Sequence, residues 1–199
     1  MALDLGCGPG YRAAALCDLG CQSVIALDTS QALLDELKSV TGSRSIDAQL
    51  ADLREFTSIV GAEGADAIVC MGDTLTHLDD RADVSKLLHD AYHTLRPNGR
   101  LALTFRDFSV ELTGADRFIP VRADDRRIML CALLYEPEHV VVKDLVYLRS
   151  NNGWHLRKSS YRKIRLVPSS ISSELRTIGF SVEIDVTIDR MQAIVARKR

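Results

Sequence analysis

The sequence predicts an α/β protein, a doubly wound and mainly parallel sheet with an antiparallel β insertion late in the chain. Three observations predict it. Over the first hundred residues, short apolar runs alternate with segments whose apolar residues recur at helical spacing, the pattern of strands covered by helices on both faces. A glycine-rich turn, Gly6-Cys7-Gly8-Pro9-Gly10, directly follows the first apolar run. After residue 108 short strands succeed one another through polar turns, which marks antiparallel pairing.

Taken in order, Met1–Asp4 is the end of a first strand, and Tyr11–Leu19 is a helix stopped by Gly20. Ser23–Leu27 is a second strand ending at Asp28, and Thr29 or Ser30 caps a helix to about Ser39. A weaker third strand, Ile46–Ala51, precedes Asp52 and a helix over Leu53–Val60. Ala65–Cys70 is a fourth strand, apolar almost throughout. Asp79 or Asp80 caps the next helix, whose Val84, Leu87, Leu88, Ala91 and Leu95 share one face. Arg96-Pro97-Asn98-Gly99 turns the chain into a fifth strand, Arg100–Phe105. Phe118–Val121, Arg127–Tyr135, Val140–Arg149 and Trp154–Leu166 are antiparallel strands, and Asn151-Asn152-Gly153 is the clearest hairpin turn. Pro168 opens a last helix that Gly179 closes, and Phe180–Ile188 and Met191–Arg197 are the final strands. The economical organisation is one domain, 1–199, with an antiparallel insertion at 109–166.

The composition, 46% hydrophobic and 26% charged over 199 residues, is that of a globular protein. No apolar run reaches the roughly 18 to 20 residues of a membrane span, and no signal-type segment precedes the glycine turn, so a cytoplasmic protein is expected. The five cysteines are odd in number and form no CxxC pair, which points to reduced thiols and to no metal site. The net charge of −2 conceals an asymmetry: residues 1–116 carry 9 Lys/Arg against 18 Asp/Glu, and residues 117–199 carry 16 against 9. An anionic substrate and a solvated basic surface are both compatible with that split.

The chemistry centres on Asp4-Leu5-Gly6-Cys7-Gly8-Pro9-Gly10. Alternating glycines let the chain bend sharply between strand and helix and bring backbone N–H groups close to a ligand. The GxGxG spacing is one residue tighter than the GxGxxG of dinucleotide folds, and the Asp4 carboxylate would repel a pyrophosphate but suits a cationic amino-acid group. Asp28, at the tip of the second strand, is placed to bind both hydroxyls of a ribose, or else to begin a helix. Asp52 is placed to accept from an adenine amino group, or else to cap the helix after it. Three acids at the ends of three successive strands are hard to read as three unrelated caps.

With these residues in place, the sequence resembles the class I S-adenosylmethionine-dependent methyltransferases. ALDLGCGPG at 2–10 is close to that family's first motif, VIALDTS at 24–30 to its second and ADL at 51–53 to its third. DAIVCMGDTLTHL at 66–78 and LRPNGRLALTF at 95–105 are similar to the fourth motif and to the strand after it. The resemblance covers residues 1–107 and resumes at 167–199. It implies S-adenosyl-L-methionine as cofactor, S-adenosylhomocysteine as product, and a seven-stranded sheet in order 3-2-1-4-5-7-6 with strand 7 antiparallel. It assigns Asp4, Gly6, Cys7, Gly8 and Gly10 to the methionine end of the cofactor, Asp28 and Thr29 to the ribose, and Asp52 and Leu53 to the adenine. Met71, Gly72 and Asp73 border the sulfonium. Relatives usually carry some tens of residues before the first motif, including a helix over the cofactor. The expectation is therefore weaker cofactor binding and a more open site, with a non-catalytic cofactor-binding protein as the alternative function.

Methyl transfer from a sulfonium is an in-line displacement that needs alignment and dryness more than a base, so a strong catalytic signature is not expected. The candidates for acceptor contact are His77 beyond the fourth strand, Arg106 at the end of the fifth, and Tyr161. His77 is a base or a surface histidine, and Arg106 a two-point clamp for a carboxylate or phosphate, or a salt-bridge partner of Asp73 or Asp107. Tyr161 shares one strand face with His155, Arg157, Ser159, Lys163 and Arg165, a basic face for an anionic substrate or for solvent, while Trp154 packs on the other face. The family's adenine-methylating NPPY-type motif is absent. The expected partner is therefore a small molecule, with no nucleic acid and no membrane, and a homodimer is left open.

Overall fold

The computed structural model describes all 199 residues, and the chain divides into two compact units, Met1–Arg106 with Pro168–Arg199, and Asp107–Val167. The first unit is built on a seven-stranded sheet. Its strands are β1 (Ala2–Leu5), β2 (Val24–Asp28), β3 (Ile46–Leu50), β4 (Ala65–Cys70), β5 (Leu95–Arg106), β10 (Phe180–Ile188) and β11 (Met191–Lys198). They lie in the order β3-β2-β1-β4-β5-β11-β10. β1 to β5 pair in parallel, and β11 runs antiparallel to both β5 and β10. With β10 and β11 counted as the sixth and seventh strands, this is the order expected of 3-2-1-4-5-7-6.

Burial explains the sequence pattern. All four residues of β1 are buried, because the central strand is covered on both faces, whereas β3 at the edge is only partly buried and carries Asp47 and Gln49. The helices are α1 (Tyr11–Asp18), α2 (Gln31–Thr41), α3 (Phe56–Val60), α4 (Arg81–Thr94) and α5 (Pro168–Ile178). The Ser30 hydroxyl accepts from the Leu33 N–H to start α2, and the Asp80 carboxylate accepts from the Asp83 N–H to start α4. α4 buries Val84, Leu87, Leu88 and Ala91, the stripe visible in the sequence. Two details differ from expectation. The helix predicted over 53–60 is a 3-10 turn, Leu53–Glu55, followed by α3, because the Asp52 side chain caps the turn at the Arg54 N–H. The turn at 96–99 lies inside β5: Ala65 pairs with Leu95 and Ala67 with Arg100, so four residues bulge out of the ladder.

The second unit is a four-stranded antiparallel sheet in order β6-β7-β8-β9, comprising β6 (Phe118–Ala123), β7 (Arg127–Tyr135), β8 (His139–Ser150) and β9 (Gly153–Ile164). Its core is Phe108, Leu133, Val140 and Val142, with Tyr161 and Ile119 packed against it. Arg165 ties the start of the unit to its end. Its guanidinium donates to the carbonyls of Phe108, Ser109 and Glu136 and pairs with Glu111. The expected basic face on β9 is therefore not a uniform solvated surface: Arg165 is engaged and Lys163 is buried. Trp154 is 43% exposed and lies under the Arg149 guanidinium, not packed as expected, because residues 153–160 are exposed on both faces of β9.

Candidate functional site

Parallel strands end on one side of a sheet, so the loops after β1, β2, β3 and β4 converge, and between them lies a cleft of about 560 Å³ within the first unit. Gly6 and Gly8 form one wall, Asp28 and Thr29 the next, Asp52 and Leu53 a third, and Met71, Gly72 and His77 the side beyond β4.

The loop amides are largely committed before any ligand arrives. Gly6 and Cys7 N–H both donate to the Leu27 carbonyl, and Gly8 N–H donates to Asp28 Oδ2 at 2.8 Å. Asp28 Oδ1 accepts from the Ser30 N–H at 2.9 Å, so one carboxylate joins the glycine loop to the entry of α2 and keeps a free lone pair on each oxygen. Gly6 is required here. Its φ is +72°, and an added Cβ would lie 2.2 Å from the Thr74 methyl, whereas one at Gly8 meets nothing within 4 Å. Gly6→Ala should therefore lower the melting temperature more than Gly8→Ala, by about 1 to 3 kcal/mol of stability. Equal melting of the two variants in a thermal scan would contradict this contact.

Asp4 lies beneath the loop at the end of β1. It is fully buried, and neither carboxylate oxygen makes a close hydrogen bond, the Ala13 N–H in the first turn of α1 being the backbone donor that acts on it. Burial pushes its carboxyl up to about 6, against the pull of the Arg12 guanidinium. A buried, unsatisfied carboxylate is costly to maintain, and such groups mark functional sites. Burial also pushes the Cys7 and Cys70 thiols up to about 12, with the Asp4 charge adding to it, so neither is a nucleophile at neutral pH.

Asp52 accepts from the Arg54 side chain as well as its N–H, and the same guanidinium reaches Asp79 at 2.9 Å and Asp83 at 3.0 Å. The Arg54 side chain holds the Asp52 carboxyl below its ordinary value. Asp52 is thus a cap for the turn that follows it and also stands in the cleft wall. Asp73 does not line the cleft. Its carboxylate accepts from the Arg106 N–H at 2.8 Å and from the Thr76 hydroxyl, stitching the loop after β4 to the end of β5. Gly10 and Cys7 lie outside the cleft as well, the first against Leu37 of α2 and the second buried behind the loop.

Among the residues proposed for acceptor contact, His77 lines the cleft at the end of the 3-10 turn Thr74–His77. Arg106 ends β5 half-buried, and its guanidinium makes neither of the salt bridges considered for it. Tyr161 belongs to the second unit, on β9, with Lys163 over its ring. Sequence reasoning missed Arg12, Arg54 and Thr74 in the cleft wall. The signal that existed for them was position: each follows within a few residues of a glycine or an acid already singled out.

Comparison with known proteins gives consistent matches. The family described as "Methyltransferase domain" matches residues 2–99. The putative methyltransferase YqeM of Bacillus subtilis (strain 168) is 32% identical over 183 residues, which are 90% of this chain and 73% of that protein. A glycine/sarcosine N-methyltransferase of Parasynechococcus marenigrum (strain WH8102) is 31% identical over 116 residues, 56% of this chain but only 40% of that protein. Among solved structures, S-adenosylmethionine-bound CalS10, an amino pentose methyltransferase from Micromonospora echinaspora, superposes with a TM-score of 0.81 at 17% identity, covering 100% of this chain and 83% of that one.

Proposed function

Because the chain belongs to the class I S-adenosylmethionine-dependent methyltransferases, we propose that it methylates a small, anionic metabolite, with an amine as the accepting group. The observation that carries the acceptor class is Arg106, half-buried and without an ion-pair partner, which ends β5 beside β4 on the same sheet edge as the cleft although it is not one of the residues lining it. The activities named for two of the similar proteins, on glycine or sarcosine and on an amino pentose, support a small amine.

The residues of the cleft fit the cofactor. Its walls carry Asp28, Asp52 and Asp79 against Arg12 and Arg54, with Asp4 beneath, so acids outnumber cations there, which suits a sulfonium and an ammonium better than a pyrophosphate. When bound, S-adenosylmethionine supplies a methyl group on a positively charged sulfur, which leaves as the neutral thioether of S-adenosylhomocysteine. Asp28 would accept from the ribose hydroxyls with the lone pairs that the Gly8 and Ser30 amides leave free, and Asp52 and Leu53 would border the adenine. Met71 and Gly72 flank the reacting end, and Asp73 holds that loop in place. Arg106 grips the acceptor's carboxylate or phosphate, and His77 takes the proton that an amine must lose.

The test is transfer of label from methyl-tritiated S-adenosylmethionine to a panel containing glycine, sarcosine and amino sugars. Label in an anionic amine is expected; cofactor binding without transfer to any small molecule would reject the reading. Arg106→Ala should raise the acceptor KM at least about tenfold, the size of a lost charge-assisted contact. S-adenosylhomocysteine affinity should stay unchanged, and a comparable loss there would remove Arg106 from the acceptor's side.

A further inference from the structure

Arg12 is the second residue of α1, half-buried, and part of the wall of the same cleft. Its guanidinium lies against Gly72: a Cβ at residue 72 would fall 2.0 Å from Nη2, so the loop after β4 carries no side chain where the guanidinium passes. Arg12 makes no hydrogen bond or ion pair with the protein, unlike Arg54 on the other side of the cleft, which is held by three carboxylates. Nearby is Asp4, whose charge Arg12 opposes and whose two oxygens are buried without a close hydrogen bond, only the Ala13 N–H acting on them from the backbone. A protein interior seldom leaves two opposite charges uncommitted at one end of a cleft, since each is costly without a partner.

Two uncommitted opposite charges form a receptor for a zwitterion. We propose that Arg12 is the carboxylate anchor of the cofactor site. Its planar fork takes the α-carboxylate of the amino-acid end, while the Asp4 charge beneath the loop draws the ammonium. This rests on the reading of the cleft as a site for S-adenosylmethionine and adds to it a residue from the first turn of α1. An arginine suits the task because two parallel N–H donors match a carboxylate and the guanidinium stays charged at any working pH. Arg12 also has a second use without the cofactor, as the counter-charge that limits the cost of burying Asp4. On binding, the ammonium takes over that role and Arg12 turns to the carboxylate.

The test uses two ligands that differ only in the carboxylate: S-adenosylhomocysteine and its decarboxylated analogue, S-adenosyl-3-thiopropylamine. Titration calorimetry on the full chain should show the wild type preferring S-adenosylhomocysteine. Arg12→Gln should weaken that ligand roughly 10- to 100-fold, the range for a charge-assisted pair, and leave the analogue within about twofold. The analogue's binding doubles as proof that the variant is folded. Equal weakening of both ligands would make Arg12 a structural counter-ion of Asp4 and overturn the proposal, as would a wild type indifferent to the carboxylate; the cofactor reading survives both results. A wild type that binds neither ligand overturns the cofactor reading and this inference with it.

Discussion

Replacing Asp28 with alanine is expected to lower affinity for S-adenosylhomocysteine by about 100-fold or more, and to cost several degrees of melting temperature as well. The carboxylate makes two charge-assisted hydrogen bonds inside the protein, to the Gly8 and Ser30 amides, and these fix the glycine loop relative to α2. Bonds of this kind contribute about 1.5 to 3 kcal/mol each, and the ribose contacts are lost with them. Asp28→Asn should fall between, because its amide can still accept from one backbone N–H but presents a donor to the other. Calorimetry and thermal melting check both variants. An alanine variant within threefold of wild type in affinity would mean that this carboxylate serves only the fold.

Replacing Asp4 with asparagine is expected to stabilise the ligand-free protein at pH 8 while weakening cofactor binding about tenfold, the effect of one lost favourable charge near an ammonium. The stability change follows from the direction of the shift. The folded-state value of about 6 lies above the ordinary aspartate value of 3.8, so the native protein holds this proton more tightly than the unfolded chain does. The stability associated with that proton is full below the unfolded value, falls as pH rises from about 4, and is gone above about 6. The penalty at pH 8 is at most on the order of 3 kcal/mol, since each unit is worth about 1.4 kcal/mol. Asparagine cannot ionise and escapes it. The difference in melting temperature between variant and wild type should therefore be several degrees at pH 8 and close to zero at pH 4. A variant that melts lower at both pH values would show that Asp4 is a structural acceptor.

The parallel half of the fold was legible because its physical constraints leave direct marks. A central strand buried on both faces has to be almost entirely apolar, as β1 is apart from Asp4 and β4 apart from Asp66, and a helix over the sheet has to repeat its apolar residues as α4 does. The acids at the strand ends stood out for the same reason: Asp4 and Asp28 are carboxylates within or at the end of otherwise apolar strands. Two arginines of the cleft wall were not legible. Arg12 and Arg54 sit on short helical segments, where a cation ordinarily means solvent, and the partners that give Arg54 its place, Asp79 and Asp83, lie 25 and 29 residues away. Trp154 failed differently. Alternation along β9 predicted a buried face, but burial depends on what covers the strand, and near the turn at 151–152 both faces are exposed. Asp73 was assigned to the cofactor by the resemblance of 66–78 to the family's fourth motif; the hydrogen bonds that commit it to Thr76 and the Arg106 N–H come from tertiary structure alone.

Titration calorimetry with S-adenosylhomocysteine and with NAD in parallel asks whether the cleft at the ends of β1 to β4 holds S-adenosylmethionine. One equivalent of S-adenosylhomocysteine should bind, NAD should not, and the signal should disappear in the Asp28→Ala variant. Binding of NAD with no response to S-adenosylhomocysteine would contradict the account.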